Sequence, residues 1–170
     1  MPDNRLKEAR EAYAPYAGLV RKYALEHEVP ENYARAVMEK ESGKHDHEGY
    51  LRELDPAARS YADARGLFQI NPITARHLGV DYESLDDPEI NIEAGIRYLS
   101  EMLRRNENDP ELASAAYNWG PGNLAKKGFE NRPKQTRDHW DKIRLYMMQY
   151  DPPEPEGMWM GGPVRTPKYL

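Results

Sequence analysis

Three Asx-Pro dipeptides constrain the fold of this chain more than any other feature of its sequence. Each precedes a segment with apolar residues at helical spacing, and they are Asn71-Pro72, Asp87-Pro88 and Asp109-Pro110. An Asx side chain accepts hydrogen bonds from the free N–H groups at a helix start, and proline suits the first turn because its missing N–H would have no partner there. Since no segment alternates apolar and polar residues as a half-buried strand does, the sequence predicts an all-α fold.

The predicted helices extend over most of the chain. The first of the three Asx-Pro helices is expected to end near Gly79, and the third is expected to end at Trp119. Further helices are predicted over residues 3–28, as one helix or as two with a kink before Pro15, and over residues 134–150. The second Asx-Pro helix has a continuous apolar face, formed by Ile92, Ile96, Leu99 and Leu103.

The length of 170 residues fits one domain, which we place at residues 1–150. Residues 151–170 are rich in proline and glycine, a composition that forms neither a helix nor a central strand. We therefore expect a C-terminal tail, and its candidate anchor is the run Met158, Trp159 and Met160.

Composition and charge exclude several classes of protein. The 24 basic and 29 acidic residues are interspersed and give a net charge of -5, which argues against a nucleic-acid groove. The absence of cysteine excludes disulfides and thiolate metal sites. Apolar runs are far shorter than the ~20 residues that span a bilayer, and the N-terminus lacks an apolar signal segment. We expect a monomer made in the cytoplasm, with no transmembrane segment and no nucleic-acid partner.

A carboxylate interrupts the apolar stripe of one short predicted helix. Ala34, Val37 and Met38 recur at i, i+3 and i+4, and Glu41 occupies the next position on that stripe. Gly43 suits the C′ position, so Glu41 falls in the last turn, where the negative helix end and partial burial favour a carboxyl that keeps its proton. Such a carboxyl can protonate a leaving oxygen, as a glycosidase acid does. A glutamate taken alone is more often a solvated surface residue.

Four motifs follow one another in an order that supports the catalytic interpretation of Glu41. They are Glu41-Ser-Gly, Gly66-Leu-Phe-Gln, Asn91-Ile-x-x-Gly-x-x-Tyr-Leu and Ala116-Tyr-Asn-x-Gly-Pro-Gly. Each motif is weak alone, but together they resemble the soluble lytic transglycosylase (SLT) family of lysozyme-like enzymes. The resemblance covers roughly residues 13–150. It implies a lysozyme-like, all-α fold of the goose-type and SLT kind, with an active-site cleft.

The resemblance implies that residues 1–150 cleave peptidoglycan. The bond would be the β-1,4 link between N-acetylmuramic acid and N-acetylglucosamine, cut with Glu41 as general acid and base to give 1,6-anhydromuramoyl products. The implied partners are glycan strands, and no metal or organic cofactor is implied. Without a signal segment, we expect the enzyme to reach the wall or periplasm by phage-type release, as an endolysin or a virion-borne enzyme. The residues implied to bind substrate are Ser60, Gln69, Asn71, Tyr117 and Asn118.

Asp63 keeps a second chemical outcome open, because it stands where the family's Gly-Ala-x-Gly pattern has its first glycine. As a second carboxylate about 6.5–9.5 Å from that of Glu41, it would direct water at the sugar and give a goose-lysozyme-like muramidase. The plainer interpretation is a loop residue or turn cap. A non-catalytic wall-binding or virion structural module, and a helical partner-binding domain, are the alternatives from other classes.

The segment that links the first two motifs is longer than the family pattern suggests. We place the extra length at residues 44–54 and expect a solvated loop over the cleft. His45, Asp46 and His47 are adjacent in this loop and have no second histidine-rich partner in the sequence, which argues against a metal site. Gly66 is expected to let the backbone approach a ligand closely.

Position 135 and Glu39 each carry a separate expectation. Residues 134–150 resemble the family's Glu-Thr-Arg-x-Tyr-Val segment, but Gln135 stands in place of the glutamate, which puts any ionic contact at that position in doubt. Glu39, which precedes Glu41 on the same helix, is expected to be dispensable, so Glu39→Gln should be close to neutral.

Overall fold

The computed structural model describes the backbone of residues 2–150 and the side chains of residues 4–149. Helices dominate this range, which confirms the predicted all-α class. The predicted tail, residues 151–170, lies outside the described residues. Two 3-10 turns, Tyr82–Asp86 and Phe129–Asn131, accompany the main elements. Those elements are α1 Pro2–Glu26, α2 Glu31–Ser42, β1 Gly43–His45, β2 Leu51–Leu54, α3 Pro72–Leu78, α4 Pro88–Arg105, α5 Pro110–Trp119, α6 Pro121–Lys127 and α7 Lys134–Tyr150.

All three Asx residues cap the helices that they precede, as predicted. Asn71 Oδ1 accepts an N–H of the first turn of α3 at 2.8 Å. Asp87 Oδ1 accepts two N–H groups of α4 at 2.9 and 3.2 Å, and Asp109 Oδ1 accepts two of α5 at 2.9 and 3.1 Å. Gly79, with φ 68°, closes α3, and α5 ends at Trp119. The predicted starts and ends of these helices are therefore confirmed.

The predicted apolar face of α4 points into the core. Ile92, Ile96 and Leu99 are fully buried, and Leu103 is nearly so. α1 is a single helix that continues through Pro15, rather than two helices. No helix within residues 2–150 is both long enough and apolar enough to cross a bilayer.

α2 is enclosed on nearly all sides. It contacts α1, α7 and both strands, and its anchor to α5 is Tyr33, whose hydroxyl donates to the Pro110 carbonyl at 3.0 Å and lies 2.7 Å from Ser114 Oγ. A helix held this firmly delivers its C-terminal residues to a fixed place. Its buried residues are Tyr33, Ala34, Arg35, Ala36, Val37, Met38, Glu39 and Ser42.

The segment 44–54 forms most of a β-hairpin, so our prediction of a solvated loop is wrong. β1 and β2 pair antiparallel, with Gly43 opposite Leu54, and the register shifts once along the pair. Leu51 and Leu54 are buried, and β2 packs against α1. These leucines are three residues apart, and the two residues between them are exposed. β2 therefore lacks the alternation of buried and exposed residues that identifies a strand in a sequence.

One buried amide fastens the loop before α3 to α4. Asn91 Oδ1 accepts the Phe68 N–H at 2.8 Å, and Asn91 Nδ2 donates to the carbonyls of Arg65 and Leu85 at 2.8 and 3.0 Å. Gly66 has φ 74°, and a Cβ there would lie 2.3 Å from Asn91 Nδ2. The close approach that requires glycine at this position is therefore to Asn91, whereas we had predicted a ligand.

Phe68 packs directly on the backbone of α4 at Gly95. A Cβ at Gly95 would lie 2.2 Å from the Phe68 ring, and Phe68 itself is fully buried. Gly95 is thus the second glycine that the loop requires, this time to make room for a side chain.

Replacing Gly95 by alanine should destabilise the protein by about 1–3 kcal/mol, because the buried Phe68 must move to admit the methyl group. Gly18→Ala is the matched control, since Gly18 lies in α1 with no atom within 4 Å of its added Cβ. The control should gain up to about 1 kcal/mol from helix propensity. Urea denaturation measures both changes, and an equal gain in the two variants would contradict the packing described for Phe68.

Candidate functional site

Glu41 lies near the C-terminus of α2, at the point where the buried stripe of that helix meets solvent. Ala34, Val37 and Met38 are at most 1% exposed, whereas the Glu41 side chain is 14% exposed. The helix ends at Ser42, and Gly43 continues as extended chain with φ -76° and ψ 135°. Gly43 therefore begins a strand instead of forming a left-handed helix terminus. Glu41 is partly buried, as the stripe predicted.

His139 of α7 holds one oxygen of this carboxyl group. Its Nε2 lies 2.5 Å from Glu41 Oε1, and its side chain is 2% exposed. None of the four sequence motifs contains this residue. His139 stands at the tyrosine position of the Glu-Thr-Arg-x-Tyr-Val pattern, one helical turn before the buried Ile143. A polar residue on an apolar stripe is the signal that singled out Glu41, and the same criterion applied to α7 would have found His139.

Tyr117 lies close to Glu41 but directs its hydroxyl to the backbone. The hydroxyl donates to the Phe68 carbonyl at 2.6 Å, and the ring packs 5.2 Å from that of Tyr98. Burial raises the pKa of Tyr117 well above its ordinary value, and the nearby negative charge of Glu41 adds to this effect. The hydroxyl therefore stays protonated and neutral, which suits a hydrogen-bond donor and not an acid catalyst.

Asn118 connects α5 to α7. Its Oδ1 accepts a hydrogen bond from Thr136 Oγ1 at 3.0 Å, and Thr136 is 2% exposed. Thr136 lies one turn before His139 on α7, so this bond fixes the helix that presents the imidazole. The amide nitrogen of Asn118 is left to donate elsewhere.

Gln69 and Asn71 hold the loop that contains them. Gln69 has φ 50°, and its Nε2 donates to the carbonyls of Ala58 and Gly66 at 3.1 and 2.9 Å. Asn71 Oδ1 is occupied by its capping bond to α3. Each side chain therefore has one polar group committed to the fold and one group without a partner among residues 4–149, Oε1 of Gln69 and Nδ2 of Asn71.

Ser60 and Asp63 lie together in an exposed turn. Ser60 Oγ accepts the N–H groups of Ala62 and Ala64, both at 3.2 Å. Asp63 adopts φ 54°, and its carbonyl accepts a hydrogen bond from the Tyr82 hydroxyl. Both side chains are exposed, so they belong to the rim of the structure, whereas Glu41 and Tyr117 are partly buried.

Glu39 belongs to a separate buried cluster. It is 1% exposed, with Oε1 3.1 Å from His45 Nε2 and Oε2 3.5 Å from Arg35 Nη1. His45 stacks on Tyr146 at 4.9 Å, and burial together with the charge of Glu39 raises the pKa of Tyr146 to about 12. Both oxygens of Glu39 are engaged, so the expectation that Glu39→Gln would be neutral conflicts with its surroundings.

Asp46, in the turn of the hairpin, is also committed to local structure. Asp46 Oδ1 accepts the N–H groups of Glu48 and Tyr50 at 3.0 and 2.9 Å, and Oδ2 pairs with Arg52 at 3.1 Å. Within the described residues, no group of three or more histidine, aspartate and glutamate side chains is arranged to hold a metal ion.

Most of the sequence is similar to known transglycosylases. The sequence model of the transglycosylase SLT domain matches residues 18–140. The soluble lytic murein transglycosylase of Escherichia coli K12 is 33% identical over 117 residues, which are 64% of this chain and 17% of that protein. The membrane-bound lytic murein transglycosylase F of Cellvibrio japonicus is 34% identical over 97 residues, 53% of this chain and 19% of that protein. The chain thus spans less than a fifth of the length of these relatives.

Solved structures give the same result for the fold. The 70 kDa soluble lytic transglycosylase of Escherichia coli superposes with a TM-score of 0.64 at 28% identity, covering 79% of this chain and 24% of that one. An inactive mutant of a lytic transglycosylase from Pseudomonas aeruginosa gives 0.65 at 24% identity, covering 84% of this chain and 25% of that one. The predicted lysozyme-like fold is confirmed.

Glu39→Gln should lower the free energy of unfolding by about 3 kcal/mol, because the neutral amide removes the buried carboxylate charge that lies beside Arg35 and His45. Glu53→Gln is the matched control. Glu53 pairs with Lys44 at 3.3 Å on the surface, where the side chains are 60% and 57% exposed, and its loss should cost less than about 1 kcal/mol. Denaturant titration tests this pair, and equal stability of the two variants would show that Glu39 is not the structural carboxylate.

Proposed function

Because the chain belongs to the transglycosylase SLT family, as its match over residues 18–140 shows, we propose that it cleaves bacterial peptidoglycan with Glu41 as general acid and base. The bond is the β-1,4 link between N-acetylmuramic acid and N-acetylglucosamine, and the products are 1,6-anhydromuramoyl ends. The observation that carries the proposal is the environment of Glu41. It is a partly exposed carboxyl at the end of a buried helix, with one oxygen held by a buried imidazole.

In the first step, protonated Glu41 gives its proton to the glycosidic oxygen. The bond from that oxygen to C1 of the muramoyl residue breaks, and C1 develops oxocarbenium character. In the second step, the Glu41 carboxylate takes the proton of the muramoyl 6-hydroxyl, and the bond from O6 to C1 closes the anhydro ring. The proton count balances, and Glu41 ends in its starting form. Ring closure has the advantage of an intramolecular nucleophile at high effective concentration.

The remaining hydrogen-bonding capacity of the other candidates suits N-acetyl sugars. Within the part of the chain that the structure describes, the carbonyl oxygen of Gln69 has no partner and can accept from an N–H or a hydroxyl. The amide N–H groups of Asn71 and Asn118 likewise have no partner there and can donate to carbonyl or hydroxyl oxygens. An N-acetyl group offers both a donor and an acceptor. We therefore assign these three side chains to substrate binding. Ser60, on the exposed turn, can still donate its hydroxyl proton.

Tyr117 supports the proposed reaction from beside Glu41. It lies near enough to Glu41 for that charge to act on its pKa, and its hydroxyl donates to the Phe68 carbonyl of the loop that carries Gln69. Since its raised pKa keeps the phenol protonated, Tyr117 adds no negative charge next to the carboxylate at any working pH. We assign it a role in shaping the site, with no proton transfer of its own.

Glu41→Gln should abolish lysis of purified cell walls in a turbidity assay while leaving the melting temperature nearly unchanged. The amide keeps the shape of the side chain but cannot deliver the proton, and general acid catalysis is worth ~10²-fold or more. The control is Glu11→Gln on α1, where Glu11 is 64% exposed and only loosely paired with Lys7 at 3.9 Å. Retention of more than about a tenth of the activity by Glu41→Gln would overturn its assignment as the acid.

The product distribution decides between ring closure and hydrolysis. We expect mass spectrometry of a wall digest to find anhydro-muropeptides as the dominant product, both for the natural chain and for Asp63→Ala. Asp63 is exposed on its turn, which supports this expectation. A base that directs water must be held at a fixed position beside the substrate. Reducing N-acetylmuramic acid ends that disappear in Asp63→Ala would instead identify a muramidase with Asp63 as its second carboxylate.

A further inference from the structure

The two nitrogens of the His139 imidazole have different surroundings. Nε2 lies 2.5 Å from Glu41 Oε1. Nδ1 is buried and has no hydrogen-bond partner among the described residues. The favoured protonation state of the ring is therefore the one that gives Nε2 a hydrogen bond and adds the smallest desolvation penalty at the buried Nδ1.

The three protonation states differ in what they leave at Nδ1. An imidazolium carries an N–H on both nitrogens, and so places a charged donor at Nδ1 where no acceptor lies. The Nδ1–H tautomer also buries an unpaired donor, and it turns a bare nitrogen toward Oε1, where it either repels a carboxylate or draws the acid's proton onto Oε1. The Nε2–H tautomer donates to Oε1 and leaves only a lone pair unpaired. It is the one state that fits both nitrogens.

We infer that His139 is a positioning residue that donates its Nε2–H to Glu41 Oε1 and thereby reserves Oε2 for the transferred proton. This inference rests on the proposed function of Glu41. Oε2 has no hydrogen-bond partner within residues 4–149, so it is the oxygen free to meet substrate. In this arrangement Oε2 of Glu41 carries the transferred proton, and the proton on His139 Nε2 stays in place.

The hydrogen bond from His139 Nε2–H to Glu41 Oε1 strengthens during proton transfer. When Oε2 gives its proton to the glycosidic oxygen, negative charge appears on the carboxyl group and the N–H···O bond becomes charge-assisted. A fixed donor aimed at developing charge lowers the barrier of that step. When Oε2 takes the proton of the 6-hydroxyl, the bond returns to its neutral strength, and the imidazole keeps its own proton throughout.

The placement of the imidazole is set by the protein rather than by substrate. α7 packs against α2 and α5, and the bond from Thr136 to Asn118 lies one turn from His139. The ring is 2% exposed, so a bound glycan strand would not need to order it. The oxygen of Glu41 is thus oriented before substrate arrives, which reduces the conformational freedom lost in the reactive complex.

Long-range ¹H–¹⁵N correlation spectra of the histidine rings test the tautomer without any activity measurement. The chain has five histidines, and the His139 signals are identified as those missing from His139→Gln. We expect the Nε2–H pattern for His139 at the pH of the lytic assay. An Nδ1–H or imidazolium pattern at that pH would overturn the inference. If the natural chain proved unable to lyse walls, the proposed function would fail while this assignment could still be read from the spectra.

Kinetics on soluble, uncrosslinked glycan strands test the consequence for catalysis. His139→Leu fills the cavity but removes the donor, and it should lower kcat by roughly 10²-fold with little change in KM. His139→Gln offers an amide N–H in place of Nε2–H and should recover a large part of that loss. Equal activity of the two variants, at melting temperatures within a few degrees of the natural chain, would show that only packing is required at position 139.

Discussion

The structure depends on the amide of Asn91, which is buried in the core and forms three hydrogen bonds to the loop before α3 and the 3-10 turn that precedes α4. A buried amide with all of its partners is costly to move, because each lost bond leaves an unsatisfied polar group. Two glycines are then required for steric reasons. Gly66 leaves room for the Asn91 side chain, and Gly95 leaves room for the Phe68 ring. Tyr117 completes the set by binding the Phe68 carbonyl. Three of the sequence motifs are thus parts of one packing unit.

A second series of contacts leads from this unit to the carboxyl group. Tyr117 and Asn118 are neighbours on α5, and one binds the loop while the other binds Thr136 of α7. α7 in turn presents His139 to Glu41. The carboxyl group of Glu41 is therefore positioned from two directions, by the buried helix that carries it and by a series of contacts that begins in the core. Rigid support of this kind is what proton transfer at one chosen oxygen requires.

The sequence predicted well what is local and poorly what is not. Asx-Pro caps and the apolar face of α4 depend on residues a few positions apart, so they could be identified directly. The hairpin was missed because Leu51 and Leu54 are buried through contact with α1, with no alternation in the strand itself. Two partners of Asn91 lie 23 and 26 residues away, and the histidine partner of Glu41 lies 98 residues away, so a pattern search over short windows cannot find them. The order of the motifs indicated where the candidate site lies, but the long-range hydrogen bonds that form it could be identified only in the folded structure.

Glu39 and Glu41 show why composition and spacing alone could not separate a structural carboxylate from one proposed to be catalytic. The two lie on the same helix, and each is in contact with a histidine. Glu39 has both oxygens engaged and is 1% exposed, so contact with a substrate would require breaking the buried cluster. Glu41 has one oxygen engaged and is 14% exposed. An acid catalyst needs one oxygen held and the other open to substrate. Of these two carboxyl groups, Glu41 meets that condition and Glu39 does not.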